Sequence, residues 1–139
     1  MSNIDFEKVI TAEKRVSVNR QRMLALLTEL RSEHERAGYE LPTGQRIQTD
    51  FDSRTELGMQ WLLFKSGNRD TPLHWKAIDE WIVLTPDMLG QAIWKIYDYV
   101  EACFQAEHAV ADRITSGELT EFSEASELFQ NELEFRAEE

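Results

Sequence analysis

From Pro86 onward, Leu89, Ile93, Ile96, Tyr97, Val100, Cys103 and Phe104 recur at steps of one to four residues, and the pattern runs on to Ile114. No other feature of the chain restricts its folding as much. This spacing lines one face of an α-helix of about eight turns. The ends are marked as well. Thr85 can cap, Pro86 suits the first helical position, Asp87 favours the positive end of the dipole, and Gly117 closes the helix. A helix this long with a one-sided apolar stripe must bury that face, so the rest of the chain is read as what covers it.

Three further helices are expected. From about Asp5 to Ala37, Phe6, Val9, Ile10, Val16, Met23, Leu27 and Leu30 fall at steps of one, three, four, six and seven, with Lys14, Arg15, Arg20 and Arg22 between them. The pattern weakens at Ser17 to Asn19, where a kink is expected, and Gly38 ends the helix with Arg36 in its last turn. A second helix, opened by a capping box of Ser53 with Glu56, carries Leu57, Trp61 and Phe64 on one side and fades by Ser66 to Asn68. The last segment, 118–139, spaces Phe122, Ala125, Phe129 and Leu133 at helical steps and fills its other faces with glutamate.

Two hairpins lie between the helices. Pro42 and Gly44 mark a turn within Tyr39 to Thr49, and Leu73-His74-Trp75 faces Trp81-Ile82-Val83-Leu84 across Ala77 to Glu80. The expected fold class is therefore α+β and mainly helical, with long helices packed on a small antiparallel sheet that joins two short hairpins. The expected division is a single α+β domain over 1–117, followed by an acidic amphipathic helix over 118–139.

Charge sharpens that division. The net charge is −11. Residues 118–139 hold eight acidic side chains against Arg136 alone, whereas 1–117 is only slightly acidic. Such a surface repels phosphate backbones, so no direct nucleic-acid partner is expected. No apolar run approaches the roughly 20 residues that span a bilayer, so no membrane partner is expected either. The N-terminal residues show no secretory pattern, and the single cysteine, Cys103, points to a reducing compartment and a place in the core.

Catalytic chemistry finds little support. His34, His74 and His108 fall in three different elements without ligand spacing. The six glycines are isolated, and no serine has a nucleophile-elbow context. Asp50 and Asp52 read as cap and turn residues, since a calcium loop starting at Asp50 would need glutamate where Trp61 stands. We assign no catalytic, cofactor-binding or metal-ligating residue and expect no enzyme. Four tryptophans, Trp61, Trp75, Trp81 and Trp94, fall on expected apolar faces, and Trp94, beside Lys95 at the edge of its stripe, is the best candidate for an exposed anchor.

An ordered string of weak signals runs through Arg46, Asp50-Phe51, Ser53, Trp75, Asp79-Glu80, Leu84-Thr85, Cys103-Phe104 and Ile114. Over about residues 20–117 the chain resembles an uncharacterised domain family of bacteriophage tail and tail-fibre-associated proteins. The resemblance implies a phage virion or virion-assembly protein, with no activity and no functional residues to carry over, and it leaves the helix after Gly117 outside the common core.

Two functions follow as expectations. The first is a non-enzymatic structural or assembly protein of a phage tail, binding another tail component in the host cytoplasm or the virion, with helices suited to homo-oligomers as well. The second is an acidic phage-encoded inhibitor that mimics nucleic acid and blocks a host defence protein. The residues expected to meet a partner are Trp94, Phe122, Phe129, Leu133, Glu121, Glu124 and Glu132.

Overall fold

The computed structural model describes residues 3–137, with side chains from Thr11 onward. Phe6, Val9 and Ile10 of the expected stripe lie outside the described side chains. The order is α1 (Asn3–Glu35), β1 (Tyr39–Glu40), β2 (Arg46–Ile47), α2 (Phe51–Lys65), β3 (Leu73–Lys76), β4 (Trp81–Leu84), α3 (Pro86–Thr115) and α4 (Phe122–Ala137). The chain is mainly helical with short antiparallel strands, the expected fold class.

Two details differ from expectation. The hairpins do not merge: β1 pairs only with β2, and β3 only with β4. The bond that ties them, Ile78 N–H to the Arg46 carbonyl at 2.9 Å, comes from a loop residue and so does not extend a ladder. Helix α1 also runs through Ser17 to Asn19 without a break. Asn19 turns its amide to the Thr120 carbonyl (3.1 Å) instead of competing for its own backbone.

The chain divides into two compact units. One holds Ser32–Cys103, and the other holds the chain up to Arg31 together with the chain from Phe104 onward. Both breaks fall inside helices, and the boundary expected after Gly117 is not one of them.

In the unit of 32–103, Leu41, Ile47, Leu57, Leu73, Ala77, Leu84, Leu89, Ala92, Ile96 and Val100 form the core, and both hairpins and two helices contribute to it. Helix α2 begins three residues earlier than a Ser53 cap would allow. Asp50 is the cap, accepting the Ser53 N–H (3.3 Å) and the Ser53 hydroxyl (2.6 Å). The Ser53 hydroxyl bond holds the Asp50 carboxyl below its ordinary pKa. A buried ion pair, Arg54 to Glu35 at 2.9 Å, fastens the start of α2 to the end of α1. Thr49 adds a bond to the Glu35 carbonyl at 2.6 Å and accepts the Gly38 N–H at 3.0 Å. Gly38 has φ +93°, and a Cβ there would lie 3.1 Å from the Ile47 carbonyl oxygen, so glycine is required. Cys103 is fully buried, and burial pushes the phenol of nearby Tyr99 above its ordinary pKa.

In the other unit, Met23 and Leu27 of α1, Ala106, Val110 and Ile114 of α3, and Ala125, Phe129 and Leu133 of α4 are buried. Phe104, expected on the apolar stripe, sits at its edge, with the Arg31 guanidinium 4.3 Å from its ring centroid. Arg31 also pairs with Glu107 at 2.9 Å, and Glu107 accepts the Thr28 hydroxyl at 2.8 Å.

Candidate docking surface

Within the unit of 32–103, α2 and α3 approach closely at two glycines. A Cβ on Gly90 would lie 2.6 Å from the Trp61 ring, and one on Gly58 would meet the Tyr97 hydroxyl at 3.4 Å. That hydroxyl donates to the Arg54 carbonyl at 3.0 Å. Since Trp61 meets Gly90 while Arg54 and Gly58 meet Tyr97, the two helices run antiparallel. Trp94 lies between Gly90 and Tyr97 in sequence, so it stands level with the middle of α2.

The outer edge of this seam is apolar. On α3, Trp94 is 76% exposed and Tyr97 is exposed too; on α2, Phe51 (71%), Met59 and Leu62 (60%) face solvent. Phe51, Met59 and Leu62 are eight and three residues apart, which keeps them near one helical face. Leu57, Trp61 and Phe64 take the opposite, inward face. The Arg54 guanidinium, held by Glu35, is 6.0 Å from the Phe51 ring centroid, and the Lys65 ammonium is 5.4 Å from that of Trp61. Exposed aromatic side chains such as Trp94 are among the residue types enriched at binding hot spots.

Among the residues expected to meet a partner, Trp94 is placed as expected. Glu121 and Glu124 are exposed on and beside α4, Phe122 is half-buried, and Glu132 pairs with Arg136 at 3.1 Å. Phe129 and Leu133 require correction. Both are buried in their own unit with Ala125, so they hold α4 in place and offer a partner nothing.

Sequence reasoning missed Trp81, which is 70% exposed beside Val83 on the outer face of β4. Strand alternation carried the signal: once Leu84 is buried, Trp81 and Val83 must point away from it. Phe51, Met59 and Leu62 were also missed, because the inward stripe of α2 accounted for its fold without them.

The groups capable of chemistry are scattered. His34 lies 3.5 Å from the Tyr99 hydroxyl, His74 is exposed on β3, and His108 is 3.9 Å from Asp112. Among the described residues no three His, Cys, Asp or Glu side chains converge as a metal site. An open recess of about 450 Å³ lies between the hairpin turns, with Arg46, Asp79 and Glu80 in its lining. The Arg46 guanidinium is bound to the Ala37 carbonyl at 2.9 Å. Among the described residues no helix is long and apolar enough to cross a membrane.

The model of a domain of unknown function, DUF4376, matches residues 18–129. The chain belongs to the DUF4376 family. The match spans both helices of the α2–α3 seam and continues into α4 as far as Phe129, so the DUF4376 domain includes the first half of the helix that the sequence resemblance left outside. No curated protein and no solved structure matches the chain.

Proposed function

We propose that this DUF4376 protein is a non-enzymatic assembly or structural protein of a bacteriophage tail, docking a fibre or baseplate component on the α2–α3 seam. The observation that carries the docking reading is the exposure of Phe51, Leu62, Trp94 and Tyr97 on the two helices that form the seam. Large apolar and aromatic side chains left exposed on a folded unit can serve binding. The phage setting is supported by the ordered sequence string from Arg46 to Ile114. The site of action is then the host cytoplasm during assembly, or the virion itself.

The test is affinity purification from infected cells with wild type and with Trp94→Ala. Recovery of a tail component by wild type, reduced at least tenfold by the substitution while circular dichroism is unchanged, supports the reading. Equal recovery by both, or no tail component with wild type, contradicts it.

A second reading is supported by α4. Ala125, Phe129 and Leu133 turn inward, while Glu124, Glu127 and Glu134 are exposed along it and Glu121 is exposed just before it. Spaced carboxylates of this kind can stand in for phosphates against a basic host protein. Such binding must weaken steeply with salt, so salt-insensitive capture of the partner rules it out.

A further inference from the structure

We propose that the free edge of β4 pairs antiparallel with β4 of a second copy of this chain, joining two hairpins into one four-stranded sheet that uses none of the α2–α3 seam residues. The Ala77 N–H donates to the Glu80 carbonyl at 2.8 Å, which makes these two a bonded pair at the turn end of the hairpin. Bonded and non-bonded pairs alternate along an antiparallel ladder. Trp75 opposite Ile82 and Leu73 opposite Leu84 are then the next bonded pairs. The N–H and carbonyl groups of Trp81 and Val83 therefore point away from β3. Among the described residues, no backbone group outside the hairpin bonds them.

A strand edge of this kind is a template for another strand unless something guards it, and lysine, proline and bulges are the usual guards. The other strand is guarded, since Lys76 is one of the residues whose backbone points out from β3. The β4 edge is not. It reads Trp81-Ile82-Val83-Leu84, with no charge and no proline, and its register against β3 runs unbroken, so no bulge turns it aside. Trp81 and Val83 are also exposed, at 70% and 48%. Unpaired backbone and open side chains thus coincide at the same two residues, and the backbone groups call for an extended strand.

That edge is complementary to itself. A two-fold axis at Ile82 sets Trp81 of each copy opposite Val83 of the other. Each such pair exchanges two N–H···O=C bonds, so every outward group of both strands is used. Centring the pair on Trp81 or on Val83 instead leaves the other residue opposite Asp79 or Thr85, outside the strand. The Ile82 register also places each Trp81 ring beside a Val83 side chain, an aromatic contact with a β-branched residue of the kind that stabilises sheets. Charge sets the direction. Antiparallel pairing sends the two turns, each with Asp79 and Glu80, to opposite ends of the sheet, whereas parallel pairing brings these carboxylates together. A second copy therefore supplies the strand, the register and the side-chain partners at once.

Proline at position 83 tests this, because it deletes a donor that the hairpin itself does not use. His74→Pro does the same on the outward side of β3 and serves as the control. Sedimentation equilibrium of the full chain at high micromolar concentrations compares wild type, Val83→Pro, Val83→Lys and His74→Pro, with circular dichroism reporting the fold. Wild type and His74→Pro are expected at twice the 16.2 kDa chain mass, and added salt should not dissociate them. Val83→Pro and Val83→Lys are expected at the chain mass itself. Val83→Lys keeps every backbone bond of the hairpin, so it decides the matter should the proline disturb the fold. A wild-type monomer, a dimer that survives either Val83 substitution, dissociation by salt, or equal loss in a folded His74→Pro overturns the proposal.

Discussion

Asp50 joins structure and stability in one side chain. Its carboxylate caps α2 and is held below its ordinary value of 3.8 chiefly by the Ser53 hydroxyl. The folded state thus binds this proton less readily than the unfolded chain does. The stabilisation is full above that ordinary value and is lost as pH falls through the lower folded value. Asp50→Ala is expected to cost about 1 kcal/mol at neutral pH, with the gap to wild type closing under acid in urea titrations run at several pH values. Glu35 is the harsher case. Glu35→Ala takes the carboxylate from a guanidinium that stays buried, at a cost of about 3–5 kcal/mol. Replacing Glu35 and Arg54 together by Leu and Met should recover most of that loss in the same titrations. Trp94 is the counterpart at the surface: Trp94→Ala should change stability by under about 0.5 kcal/mol.

At the scale of elements, α4 changed most between sequence and structure. Read as an acidic appendage, it was expected to give Phe129 and Leu133 to a partner. Folded, those side chains complete the core of their unit. Phe129→Ala should therefore cost about 3–5 kcal/mol and speed amide hydrogen exchange at Val110 and Ile114 before it does at Leu57. Deleting 118–139 should expose Val110 and Ile114 and destabilise that unit, which tryptophan-independent unfolding by circular dichroism will show. The helices themselves were legible because a one-sided stripe with end signals, as from Thr85-Pro86 to Gly117, specifies type and limits together. Both hairpins were legible from turn residues such as Pro42 and Gly44 and from the aromatic and β-branched runs Leu73-His74-Trp75 and Trp81 to Leu84. What sequence left open were choices between neighbours: Asp50 or Ser53 as cap, one sheet or two, and which side of the chain covers Phe129. Each turns on long-range packing or on a single hydrogen bond, and local periodicity carries neither. The exposed half of the candidate site was legible at Trp94 alone, since Phe51, Met59 and Leu62 lie off the stripe that defines α2.

At the scale of the whole molecule, the two units carry different kinds of surface. The unit of 32–103 presents an apolar seam with aromatic anchors, whereas the unit of the chain ends presents acidic faces and a basic stretch of α1. The central claim is that the seam is where a tail component docks. Site-specific photo-crosslinking tests it most directly, with a photoreactive residue at position 94 and, as control, at exposed Thr71, in infected cells. A crosslink from position 94 to a tail protein, absent from position 71, is the predicted result. Crosslinks that are absent from position 94, or the same from both positions, would contradict it.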